Sequence, residues 1–188
     1  MNNYIFTFLG LSLTELNLFI TDLVIFCVAY YCYSNLKTKN RSEINVSGYS
    51  FFFLFTAISA MVSGFGHLLT LYTYEYLKMC GWVFSLLANF YIIKASEQHI
   101  LNINTRKILN IINPLKFTLS LIALLLVQKF AIVSVDTILS IACVALPIHT
   151  LQWKKTAKNG YKVFCVGIVF TMLTGIVSYL QLSISDTW

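Results

Sequence analysis

The sequence predicts an all-α fold, a polytopic bundle of transmembrane helices. Three observations carry that prediction. Of 188 residues, 58% are hydrophobic and 11% are charged, more apolar surface than a soluble domain of this size can bury. The apolar residues gather in runs of about 20, the length an α-helix needs to cross ~30 Å of hydrocarbon. The basic residues cluster between those runs, as short loops at a membrane surface do. One transmembrane domain over residues 1–188 follows, with the lipid bilayer as its principal partner.

Six spans are expected. The opening segment Met1–Thr14 has no basic residue ahead of its apolar run, so it reads as an interfacial lead-in rather than a cleavable signal. The first span is Leu16–Leu36, the second Ser50–Leu69 and the third Leu77–Ala95. Pro114 marks a helix boundary. The fourth span therefore starts near Leu115 and runs to Ile132, and Thr105–Leu115 reads as a short interfacial helix. Gln128 and Lys129 interrupt the apolar run, placing a tight turn near Phe130–Ser134. The fifth span is Val133–Trp153 and the sixth Val163–Ser183.

The net charge of +6 would point to nucleic acid in a soluble protein. Here it reports topology, and no nucleic-acid partner is expected. Lys37, Lys39 and Arg41 lie in the first loop. Lys94, Arg106, Lys107 and Lys116 are assigned to the third loop and its flanks, and Lys154, Lys155, Lys158 and Lys162 to the fifth. Those are eleven of the 13 basic residues. The positive-inside rule then puts the odd loops in the cytoplasm and the N-terminus outside, in a multi-pass protein of the cell membrane. The five cysteines lie in or beside apolar runs without C-x-x-C spacing and read as small buried hydrophobes.

Topology sorts the polar residues by depth. Asp22, His67, Glu75, Asp136 and Asp186 fall in the outer half, His99 and His149 in the inner half. The second span carries Thr56, Ser59, Ser63 and His67 on one helical face. The sixth carries a like stripe of Thr171, Thr174, Ser178 and Gln181, and Ser85 and Asn89 stand four apart on the third. The hydroxyls read first as interhelical hydrogen-bond glue or bonds to their own backbone. Two acids and a histidine near one depth predict a polar cavity, because an unpaired carboxylate in hydrocarbon costs several kcal/mol.

Ser63-x-x-x-His67, near the end of a second span in a chain with an outward N-terminus, resembles the seven-helix superfamily of alkaline ceramidases and adiponectin/progestin-type receptors. The resemblance implies a zinc-dependent hydrolase of lipid amides, with a lipid substrate. His67 would be one zinc ligand, Ser63 would bond the oxyanion or the metal-bound water, and Asp22 or Asp136 would orient polar groups. Zinc in such a site acidifies its water enough to supply hydroxide near neutral pH. The sequence departs from that family twice. No Asp follows His67 at the family's position, Glu75 being the nearest acid, and the last-helix H-x-x-x-H is absent. The expectation is an incomplete or inactive hydrolase-like chain whose missing ligands would belong to a seventh helix beyond Trp188. Two other classes compete with it: a small-solute or proton transporter or sensor lined by the acids and His67, and a structural membrane protein.

Single cysteines at Asn40, Asn104 and Asn159 should react only with membrane-permeant maleimides in intact cells. Reaction of all three with an impermeant reagent added outside would invert the orientation.

Overall fold

The computed structural model describes residues 6–8, 11–13, 15–38, 44–73, 75–157 and 159–169. Two short antiparallel strands, β1 (Phe6–Phe8) and β2 (Leu11–Leu13), pair with Phe6 opposite Leu13 in the expected lead-in. The remainder of the described chain is helical: α1 (Leu16–Thr38), α2 (Ile44–Leu68), the single turn α3 (Thr70–Thr73), α4 (Tyr76–Glu97), α5 (Ile103–Val127), and a last long run. That run comprises α6 (Phe130–Thr137), a π-helical segment (Ile138–Ala145) and α7 (Leu146–Thr156). Residues 159–169 are helical too.

Five stretches are long and apolar enough to cross a membrane: Leu16–Lys37, Ser47–Leu68, Tyr76–Glu97, Ile103–Val127 and Phe130–Thr156. At 1.5 Å per residue, 22 residues reach about 33 Å, enough for the hydrocarbon layer. Most of the expected sixth span, Val163–Ser183, lies outside the described residues.

The fourth and fifth helices differ from the sequence expectation. α5 begins at Ile103, not Leu115, and runs straight through Pro114. Its start is fixed by Asn102, whose side-chain oxygen accepts from the backbone N–H groups of Asn104 and Thr105, the usual work of an N-cap. Proline removes one helical hydrogen bond, but neighbours engage the polar groups around it. Asn113 donates to the Phe90 carbonyl at 3.0 Å, Thr118 donates to the Pro114 carbonyl at 2.9 Å, and Lys94 donates to the Asn110 side chain. The first and last of these anchor α5 to α4 around the proline, the kind of setting in which membrane helices tolerate it. The turn falls at Gln128–Lys129 rather than Phe130–Ser134. Gln128 takes the left-handed conformation (φ 54°) and its N–H closes on the Leu124 carbonyl at 2.8 Å, an αL helix cap.

α4 is the hub. It packs against α2 on one side and against α5, α6, the π segment and α7 on the other, while α1 packs on the far side of α2. It is also the most buried of the five spans. The α2–α4 pair is antiparallel and close because small residues line the seam. A Cβ on Gly48 would stand 2.9 Å from the Ala95 Cβ, and one on Gly81 only 2.0 Å from the Ser63 hydroxyl and 2.9 Å from its backbone nitrogen. Helices in lipid gain from dispersion contact, and small residues allow it.

Gly81→Ala should therefore lower the melting temperature of the detergent-solubilised protein, by the equivalent of about 1–3 kcal/mol of overpacking. Gly160→Ala, with nothing within 4 Å of the added carbon, should leave it unchanged. Equal melting of the two variants would mean that the seam is not tight.

Candidate functional site

Polar side chains inside the bundle collect at three depths. The first cluster is at the His67 end. Glu15 stands one residue before α1 with φ 52°, and its carbonyl accepts from the N–H groups of Leu18 and Phe19. That bend returns its carboxylate toward α2 and α4. One carboxylate oxygen meets His67 Nδ1 at 2.5 Å and Lys78 Nζ at 3.2 Å. Lys78, 5% exposed, also reaches Glu75 at 3.4 Å. Burial alone raises the Glu15 pKa, but hydrogen bonds from His67 and Lys78 outweigh it and hold the carboxyl below its ordinary range. Asp22 lies alongside, its Cβ against Gly64.

Below His67 the α2 stripe faces α4. Ser63 is buried against Gly81. Ser59 donates to the Gly81 carbonyl at 2.8 Å, so its 2.7 Å bond to Ser85 has Ser85 as donor. Thr56 bonds its own helix at the Phe52 carbonyl. Ser59 and Ser85 are therefore interhelical glue, and Thr56 is a back-bonded hydroxyl.

The second cluster is at the centre. The Asp136 side chain is 1% exposed and lies 2.6 Å from Lys116 Nζ. The same carboxylate oxygen accepts from Ser120 at 2.7 Å, and the other accepts from Asn89 at 2.9 Å. Lys116 also donates to Ser140, which in turn donates to the Asp136 backbone carbonyl. Asn89 reaches Thr137 as well. Lys116 was expected at a loop flank; it lies instead in mid-span, 13 residues into the 25-residue α5. An ion pair there is favourable only because its remaining hydrogen-bonding positions are filled.

The third cluster is at the opposite end, where the two other histidines meet. The rings of His99 and His149 are 5.4 Å apart, with Tyr49, Tyr161 and Ser96 around them. Tyr49 and His67 stand at opposite ends of α2, about 27 Å apart at 1.5 Å per residue. All three histidines of the chain are thereby placed, and His67 has neither of the others near it.

The residues proposed to share one cavity thus divide. Asp22, Ser63 and His67 sit on the α1–α2–α4 side. Asp136 is held by α4 and α5 on the other side, so it does not join them. Asp186 and the sixth-span stripe Thr171, Thr174, Ser178 and Gln181 lie outside the described residues. At the His67 cluster Glu15 meets Nδ1 and the Lys78 ammonium adjoins the same oxygen; among the described residues no group of three or more His, Cys, Asp or Glu could hold a metal. Sequence reasoning missed Glu15 as the partner of His67 and Lys116 as the partner of Asp136. The Lys116 signal was present, a lysine followed by Ser120 four residues on, one helical turn away; the reach of Glu15 depends on its left-handed backbone bend, which the sequence does not show.

Five apolar helices around clusters of ionisable groups define an α-helical membrane protein with a polar interior. The chain belongs to a family of unknown function, DUF6962, whose sequence profile matches residues 18–188. No curated protein and no solved structure matches it.

Lys116→Met alone leaves a buried carboxylate without its cation and should cost about 3–5 kcal/mol of stability. Lys116→Met combined with Asp136→Leu should recover most of that loss. Reversible unfolding in mixed micelles measures the cycle; additive losses would show that the two charges do not interact.

Proposed function

We propose that the protein handles protons or a small solute within the membrane, as a transporter or sensor, and that the Asp136–Lys116 pair is its charged centre. The observation that carries this reading is the pair itself: a carboxylate 1% exposed, 2.6 Å from an ammonium in mid-helix. Ionisable groups at that depth are expensive, and membrane proteins keep them mostly for moving or sensing charge. Protonating Asp136 would remove the countercharge of Lys116 and free the ammonium, which is the elementary step of such a device.

Two local features support the reading. The π segment begins two residues after Asp136, and π-helical turns recur at functional sites. An apolar recess of about 240 Å³ lies beside Lys116 and Asn113 between α4, α5 and the π segment, a shape for a small apolar solute rather than for water. The hydrolase expectation gains less from the site. A catalytic zinc takes three protein ligands, and His67 has no second histidine beside it. For topology we propose six spans in the cell membrane with the N-terminus outside. With Lys116 reassigned to the interior, ten of the 13 basic residues still fall in odd-numbered loops or their flanks.

Purified protein in liposomes carrying an internal pH dye tests the proposal. An imposed pH gradient or membrane potential should drive dye-reported proton movement, and Asp136→Asn should slow it at least tenfold while Gly160→Ala does not. Wild-type vesicles as tight as protein-free ones under both driving forces would reduce the pair to a structural element.

A further inference from the structure

We propose that the recess beside Lys116 holds an acyl chain of an anionic phospholipid, whose phosphate is held by Arg106 and Lys107 near the start of α5. The proposal goes beyond the transport reading and does not depend on it.

The recess follows from how three helices meet. α5 packs on α6 beside the turn that joins them, and both α5 and the π segment pack on α4. Between α5 and the π segment a recess of about 240 Å³ is left. Ile93 of α4, buried, is its floor, and Leu109 and Ile112 of α5 face Leu139 and Cys143 of the π segment across it. The rim residues Ile112 and Leu139 are 49% and 45% exposed. In a chain that spans a bilayer, that opening meets lipid tails rather than water. Lys116 contributes its methylene stem, because its ammonium is turned to Asp136 and Ser140. The surface offered to an occupant is therefore hydrocarbon.

Length and charge select the occupant. Arg106, Leu109, Asn113 and Lys116 follow one another at steps of three, four and three, one stripe of α5. From Arg106 to Lys116 the helix rises about 15 Å, half of the ~30 Å hydrocarbon layer and so the depth of one leaflet. A lipid whose phosphate is level with Arg106 reaches Lys116 with its chain. Arg106 and Lys107 are both exposed, and side chains of that length reach headgroup level and hold phosphate oxygens through charge-assisted hydrogen bonds. No acid competes for them nearby. α5, the π segment and α7 contain no Asp or Glu, and Glu97 at the end of α4 is 4% exposed and paired with Lys94. Basic residues beside a pocket between membrane helices recognise anionic headgroups in this way. A phosphocholine headgroup brings its own cation and gains less from the same two residues.

Native mass spectrometry of the full chain in detergent, titrated with phosphatidylglycerol or with phosphatidylcholine of the same chains, tests the site. One phosphatidylglycerol should bind at least tenfold more tightly than phosphatidylcholine. Arg106→Gln with Lys107→Gln should abolish that preference, each charge contributing about fivefold near a membrane surface. Lys154→Gln with Lys155→Gln removes as much charge from α7, none of whose residues lines the recess, and should keep the preference. Cys143→Trp fills the recess from an exposed position and should weaken both lipids at least tenfold; should it not fold, Leu139→Trp on the rim blocks the same space. Equal binding of the two lipids, or equal losses in the two double-glutamine variants, would replace the site with diffuse charge attraction. Undiminished binding in the filled variant would show that no chain enters the recess. Displacement of the lipid by millimolar glycerol phosphate would show a phosphate site that needs no chain. Each of these results overturns the proposal.

Discussion

One constraint organises the molecule: polar groups carried into the bundle by α4 must find their partners there. Lys78, Asn89 and Ser96 are separated by 11 and 7 residues, and at 3.6 residues per turn they fall on one stripe of the helix. Gly81 and Ser85 lie on or beside that stripe. α4 therefore presents a cation at one end, an amide at the centre and a hydroxyl at the other end, and each becomes the nucleus of a cluster. Lys78 gathers Glu15 and Glu75, Asn89 gathers Asp136 and Thr137, and Ser96 stands against His149. The neighbouring helices are held where they can answer these groups, since hydrocarbon offers no other partner.

The central cluster is the most demanding electrostatically. Two charges withdrawn from water each carry a penalty of several kcal/mol, which their attraction repays only with good geometry and filled hydrogen-bonding positions. Here Ser120, Asn89 and Ser140 fill them. A well-packed apolar pair would stabilise the bundle at least as well, so the presence of charge at this depth is better explained by what charge can do. Ser140 also ties the pair to the irregular helix beside it: it accepts from Lys116 and donates to the Asp136 carbonyl, three residues into the π segment. Whatever alters the pair acts on the first turn of that segment.

The sequence made the class of fold legible because runs of about 20 apolar residues have one physical use. It made the interior stripe of α2 legible through the spacing of Ser59, Ser63 and His67. It misled at Pro114 and at Lys116, for one reason. Each looks like a boundary residue when only its own helix is considered, and each is accommodated by another helix: Lys94 and Asn113 bridge α4 and α5 around the proline, and Asp136 receives the lysine. Glu15 was overlooked because its reach depends on a left-handed backbone bend, which an acid outside a periodic segment does not announce. The convergence of Tyr49, His99, His149 and Tyr161 joins residues up to 112 positions apart, beyond any local pattern.

The two ends of the bundle use histidine in different chemistry, and the difference follows from their partners. His67 faces the carboxylate of Glu15, which the Lys78 ammonium also holds, so its Nδ1 is committed to a fixed charge. His99 and His149 face hydroxyls, which both give and accept a proton, so their ring nitrogens are committed to no charge at all. A carboxylate bond to imidazole fixes orientation and tautomer; a phenol placed between two imidazoles leaves either ring free to be the donor. The first arrangement suits a clamp, closing α1 onto α2 and α4. The second joins α2, the end of α4 and α7 through hydroxyls, and His149 lies on the same helix run as Asp136, with the π segment between them. The polar clusters of the described residues therefore differ along the bundle, from a histidine locked to a carboxylate, through a buried ion pair, to imidazoles joined by hydroxyls.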